Sequence, residues 1–209
     1  MIKVGTCGWG FLKGGLKEYA KMFRVVEVNY TFYRYPRKST LERWREIVGS
    51  DFEFTVKAHK DITHKKQFEN VEDEIHKLKE ICNTLNANII LFQTPKSFQD
   101  FDRVYKFLEN HEFEENIVME LRGFTKEQRE ELVKEFGIID CTDILRETPV
   151  KSRFLYTRLH GLGKRMYHYK YTEDDLKLLK EKVKKYRKGY VMFNNIHMYE
   201  DAKRFSEIL

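Results

Sequence analysis

The chain has 209 residues, of which 41% are hydrophobic and 34% charged, enough for one domain with a real core and near the lower limit for an eight-fold barrel. Its net charge of +6 and pI near 9.0 permit an anionic ligand without demanding one, and the absence of any run of about 18 apolar residues excludes a membrane-spanning helix. Cys7, Cys82 and Cys141 are odd in number and lack metal-type spacing. They fit reduced thiols in a cytoplasmic protein, and a strand beginning at residue 2 leaves no signal peptide.

In chain order, residues 2–9 alternate and end at a Gly–Trp–Gly turn, a short helix is predicted over 16–23, and residues 25–29 form the second strand. An aromatic loop over 30–36 follows, and Ser39 or Thr40 is expected to cap a helix running to Val48. Residues 52–57 alternate strictly, with Phe52, Phe54 and Val56 on one face and Glu53, Thr55 and Lys57 on the other. The longest helix is predicted over 68–85, where Val71, Ile75, Leu78, Ile81, Cys82 and Leu85 keep three- and four-residue spacing. Residues 88–94 read as a strand buried on both faces. Helices are predicted over 98–108 and 125–136, the second capped by Thr125 with Gln128 three residues on. Strands over 116–122, 137–142, 154–161 and 189–195 complete the set, with helices over 172–186 and 199–209 and too little room for one at 143–150, where Pro149 stops it.

Eight β-rich runs separated by helix-length stretches predict an α/β fold: a single-domain TIM-like (β/α) barrel over 1–209, compact, with short or missing helices. The working face of such a barrel lies at the C-terminal strand ends. Gathered there are Trp9, Glu27, Asn29, Lys57, His59, Gln93, Glu120, Arg122, Asp140, Arg158, His160, Asn194 and Asn195. A chain selected only for stability would favour Val or Ile at such positions, because each buried ion costs several kcal/mol unless paired. Glu27 and Glu120 suit a general acid and base, or a divalent metal with His160, although Lys57, Arg122 and Arg158 can neutralise them instead. Arg122, Arg158 and Lys57 form a candidate anion site. The run 164–171, which contains Tyr169, interleaves basic and aromatic residues suited to stacking bases, and the loop holding Tyr33 has the same character on the other rim. Gly161-Leu162-Gly163-Lys164 resembles a phosphate loop but lacks the full Walker spacing. High Lys and Glu content with little Gln fits a thermophile.

Gly5-Thr6-Cys7-Gly8-Trp9, the stretch from Glu27 through Arg34, residues 52–57, Ile62-Thr63-His64, the stretch from Phe92 through Phe98, Glu120-Leu121-Arg122, the stretch from Tyr156 through Gly161, residues 167–171 and Phe193-Asn194-Asn195 run in one order across the chain. Together they resemble the domain of unknown function 72 family (YecE-like). The resemblance implies a TIM-like barrel with these motif residues, His64 among them, at one mouth. It supplies no reaction. Cys7 where the family usually has Ser, Thr94 and Lys96 in place of apolar and Pro residues, and a shortened region over 122–143 depart from the pattern.

The residues support an enzyme acting on a phosphate-bearing substrate as a hydrolase or phosphodiesterase, with nucleic acid as one candidate substrate. Glu27 or Glu120 would be the base, His160 an acid or metal ligand, and Lys57, Arg122 and Arg158 the charge stabilisers. A sugar isomerase or lyase could use the same acids. A non-catalytic module for nucleotides or single-stranded nucleic acid would need the aromatic loops but not the carboxylates. Expected partners are a small anion or nucleic acid rather than a membrane, and the oligomeric state stays open. Replacing Glu120 by Gln is expected to abolish activity with the melting temperature unchanged or raised.

Overall fold

Each β-rich run forms a strand in the computed structural model, which describes residues 1–152 and 154–209. The strands are β1 (Ile2–Thr6), β2 (Val25–Val28), β3 (Glu53–Lys57), β4 (Ile89–Gln93), β5 (Asn116–Glu120), β6 (Ile139–Thr142), β7 (Phe154–Leu159) and β8 (Lys188–Phe193). All paired neighbours are parallel, in the order β1-β8-β7-β6-β5-β4-β3-β2, so the sheet curls into a barrel whose ladder is complete except between β1 and β2.

One side chain spans that gap. Tyr19, fully buried on α1 (Gly15–Met22), receives the Thr6 amide on its hydroxyl at 2.9 Å and donates to the Val25 carbonyl at 3.0 Å. The strands press close here: a Cβ on Gly5 would sit 2.4 Å from the Val25 carbonyl oxygen, which only glycine avoids.

Strand alternation separates two apolar regions. Phe54, Val56, Phe92, Met119 and Leu155 face outward and pack under the helices. Val25, Leu91, Val118, Cys141, Tyr156 and Met192 face the axis and plug its middle. The outer layer comprises α1, α2 (Tyr30–Tyr33), α3 (Lys38–Val48), α4 (Glu72–Leu85), α5 (Phe101–Asn110), α6 (Lys126–Phe136), α7 (Glu173–Val183) and α8 (Met198–Ile208). A π-helical turn, Asp61–Lys65, follows β3. Among the described residues β6 and β7 are joined without a helix, as the short 143–150 stretch predicts.

Three local expectations fail for physical reasons. Ser39 and Thr40 do not cap α3; the helix begins at Lys38, with extended Arg37 at the cap position. The longest helix starts at Glu72 rather than at 68, because Gln67, Phe68 and Asn70 all take positive φ (50°, 70° and 50°), outside helical space. The aromatic loop contains a single helical turn, α2, closed by the Arg34 amide on the Tyr30 carbonyl. The expected capping box forms at Thr125 with Gln128 on α6, and Thr172 with Asp175 makes a second one on α7.

Candidate active site at the barrel mouth

The period of two fixes which polar residues reach the axis. Thr55 points inward, its hydroxyl 2.8 Å from that of Tyr156, so Lys57 faces the axis one layer higher. The same step along β7 carries Tyr156, Arg158 and, just past the strand, His160 up the interior.

Arg158, 1% exposed, is the hub. Its Nε and Nη2 donate to the two oxygens of Glu27 at 3.1 and 2.9 Å, and its Nη1 donates to Gln93 Oε1 at 3.0 Å and Glu120 Oε2 at 2.5 Å. Tyr156 donates its hydroxyl to Glu27 Oε2 at 2.9 Å. The remaining oxygen of Glu120 accepts from Arg122 Nε at 2.6 Å and lies 3.2 Å from His160 Nε2. The other ring nitrogen of His160 lies 3.1 Å from Asn194 Nδ2. Four strands thus converge on one network through Glu27, Glu120, Arg158 and Gln93.

The electrostatics follow from this wiring. Burial alone would raise the Glu120 carboxyl, but Arg158, His160 and Arg122 outweigh it and hold the group well below the usual carboxylate range. Burial lowers His160 in spite of Glu120, so its imidazole is neutral at pH 7. Glu120 is therefore an anion at neutral pH that orients His160, and a carboxylate held this low is a weak proton acceptor. Burial, reinforced by Arg158, pushes Lys57 down to about 8 against the pull of Glu27 and Glu120. Cys7 is raised by burial and is an inert thiol at neutral pH.

The other predicted residues divide. Asn29 stands at the N-terminus of α2 and His64 on the π-helical turn, where its ring meets Phe32 edge-on at 5.0 Å. Tyr33 is 63% exposed on the rim. Trp9 packs instead on Trp44 of α3, at 5.0 Å, and on outward-facing Phe54. Tyr169 binds Asp175 through its hydroxyl at 2.7 Å, and Asn195 ties the Tyr169 carbonyl to Asp201, each contact 2.7 Å. These three brace the loops from outside the network. Arg158 is placed as floor rather than rim, with its guanidinium committed to chain partners. Asp140 leaves the mouth altogether and takes Arg129 of α6 at 2.8 Å in the outer layer. Counting by twos from inward Cys141 selects Asp143 instead, whose carboxylate accepts the His160 amide at 3.2 Å. That alternation signal was available in the sequence and was missed.

A cavity of about 300 Å³ opens beside the network, lined by Lys96, Arg122, Asp143, Arg146, His160 and Met166. As for the expected divalent metal, no group of three or more His, Cys, Asp or Glu is arranged to hold one among the described residues. The carboxylates that would serve are already bridged by a guanidinium. No helix among the described residues is long and apolar enough to cross a membrane.

Comparison with known proteins gives a consistent picture. Residues 4–209 match the family model described as "Protein of unknown function DUF72". The UPF0759 protein YecE of Escherichia coli K12 is 29% identical over 132 residues, 58% of this chain and 48% of that protein, so the match spans about half the length of this curated relative. The crystal structure of a DUF72 family protein from Thermotoga maritima superposes with a TM-score of 0.79 at 23% identity, covering 100% of this chain and 98% of that one. D-psicose 3-epimerase (TM-score 0.60, 14% identity, 99% and 97% coverage) and endonuclease IV from Thermus thermophilus (0.58, 12%, 99% and 100%) share the barrel fold.

Proposed function

The chain belongs to the DUF72 family of proteins of unknown function, and from that premise and the geometry of the mouth we propose that it is a barrel enzyme acting on a small phosphate-bearing substrate. One observation carries this reading: the network and its edge hold three cations, Arg158, Arg122 and Lys57, against Glu27 and Glu120, while the Asp143 carboxylate is shared by the His160 amide and Arg146. Buried charge is tolerated when paired, so the surplus cation calls for an anion from outside. Arg122, whose side chain is 19% exposed, is the member that reaches the cavity; Glu120 engages its Nε and His160 its Nη2, and Nη1 is left to take an anion. Neutral His160, oriented by Glu120 and Asn194, is the proton-transfer group beside it. The cavity volume suits a small metabolite. The epimerase and nuclease neighbours show that this fold serves both sugar and phosphodiester chemistry, and they do not choose between them.

Inorganic phosphate tests the reading. It is expected to raise the melting temperature of the wild-type protein at millimolar concentration and to leave Arg122→Gln unmoved; an equal shift in both would overturn it. A second reading, a binding module for single-stranded nucleic acid, draws on the exposed rings of Phe11 (93%) and Tyr33 (63%). Oligonucleotide binding that survives Arg122→Gln would favour that alternative.

A further inference from the structure

We propose that Lys57 is an imine-forming amine, so that the substrate class of this mouth is an aldehyde or ketone, phosphate-bearing if the preceding reading holds. Lys57 is the last residue of β3 and only 7% exposed. Its Nζ lies over the Phe32 ring, 4.1 Å from the centroid. The carboxylates that could neutralise it have all four oxygens engaged: Glu27 by Arg158 and Tyr156, Glu120 by Arg158, Arg122 and His160. Among the described residues none comes within 4.0 Å of the amine. A lysine kept for stability would be paired or at the surface. A desolvated amine beside another cation, here Arg158, is the arrangement that activates lysine as a nucleophile.

A proton carrier stands next to it. His64 packs on the same Phe32 ring at 5.0 Å, with Nδ1 2.8 Å from the Thr63 hydroxyl. Burial, then Lys57 and Arg122, lower its pKa, so it is neutral at pH 7. In the proposed step the Nζ lone pair attacks the carbonyl carbon and the C=O π pair moves to oxygen. A proton passes from nitrogen to that oxygen, through His64, to give a carbinolamine. Protonation of its hydroxyl by His64 releases water as the nitrogen lone pair forms C=N, and the resulting iminium gives its N–H proton back to His64 to leave the imine. The balance is amine plus carbonyl to imine plus water, with no redox partner. The free amine is available near neutrality because burial and Arg158 bring Lys57 to about 8, with Glu27, Glu120 and Cys7 opposing.

The test is reductive trapping. The intact protein is treated with glycolaldehyde phosphate and cyanoborohydride at pH 8, and every lysine is followed by peptide mass mapping. Hydride addition to the iminium carbon leaves a stable secondary amine, a mass gain equal to the aldehyde less one oxygen atom. Lys57 is expected to react at least about tenfold faster than Lys96 or Lys164, which stand exposed in water. Even labelling across surface lysines, or an untouched Lys57, overturns the proposal. Phosphate-free glycolaldehyde and Arg122→Gln separate the two readings. Trapping at Lys57 that is as fast without the phosphate or without Arg122 keeps the imine and removes the phosphate. A phosphate-induced thermal shift with no trapping does the reverse.

Discussion

Among the described residues two arginines are almost wholly buried, and they are built from the same parts for different ends. Arg129, 3% exposed, lies in the outer layer between Asp140 and Glu147; Arg158, 1% exposed, lies inside the barrel between Glu27 and Glu120. The first cluster is closed. Asp140 also receives the Val150 amide at 2.8 Å, and the whole brace clamps the helix-less crossing from β6 to β7. Its outer carboxylate, Glu147, is half-exposed and returns to water at little cost. The second cluster has no such outlet, and further cations adjoin it at the mouth. Both clusters adjoin the cavity, one through Arg129 and Glu147 and the other through Glu120 and Arg122, so a buried ion pair beside a cavity says nothing about function by itself; an unbalanced one does.

Removing the hubs breaks the comparison most sharply. Arg158→Met strands the Glu27 charge at zero exposure and should cost about 3–5 kcal/mol in chemical denaturation, as the loss of one partner from a buried pair does. Arg129→Met should cost less, about 2 kcal/mol, the scale of hydrogen bonds to a charged group. Burial already raises the Asp140 carboxyl, so it can neutralise by protonation. Equal losses would show that the two clusters do the same work.

Glu120→Gln comes next. Its carboxylate serves Arg158, Arg122 and His160 at once, which reverses the expectation of an unchanged or raised melting temperature. Loss of the charge should destabilise by about 1.5–3 kcal/mol. A more stable variant would mean that the surplus positive charge is not felt.

The last effect is a pH dependence at Lys57. Its folded pKa, about 8, lies below the unfolded value near 10.4. A lowered group contributes stability that is fully present above the unfolded pKa and lost as pH falls through the folded one. Wild-type stability relative to Lys57→Met should therefore rise between about pH 8 and 10.4. Denaturation curves across that window check it, and a flat difference would place the amine in water. The groups that set the window are Arg158, Glu27, Glu120 and Cys7, with His64 across the Phe32 ring.

The strands and the inward carboxylates were legible because period-two alternation is strict on β3 and β7 and because Glu27 and Glu120 interrupt apolar runs. What was not legible is pairing across the barrel. Sequence can place Glu27, Glu120 and Arg158 at one end, but it cannot show that the arginine reaches both acids and so changes from anion binder to floor. Trp9 and Asn195 turn away from the network for a related reason: each lies beyond the last strand residue, where alternation no longer dictates which way a side chain turns. Phe32, which seats both Lys57 and His64, appeared only as one ring in an aromatic loop.

The β1–β2 junction gives the barrel a direction of give. Where the other neighbours are laced by ladders, these strands meet through the hydroxyl of Tyr19 and the close approach at Gly5. Parting them means surrendering two hydrogen bonds instead of a ladder, so the wall yields here first. Cys7 and Glu27 lie on the two lips. The barrel behaves mechanically as a clasp, and a bulky guest that strains the mouth would spread it along that line against the Arg158–Glu27 pair, which holds the β2 lip from within.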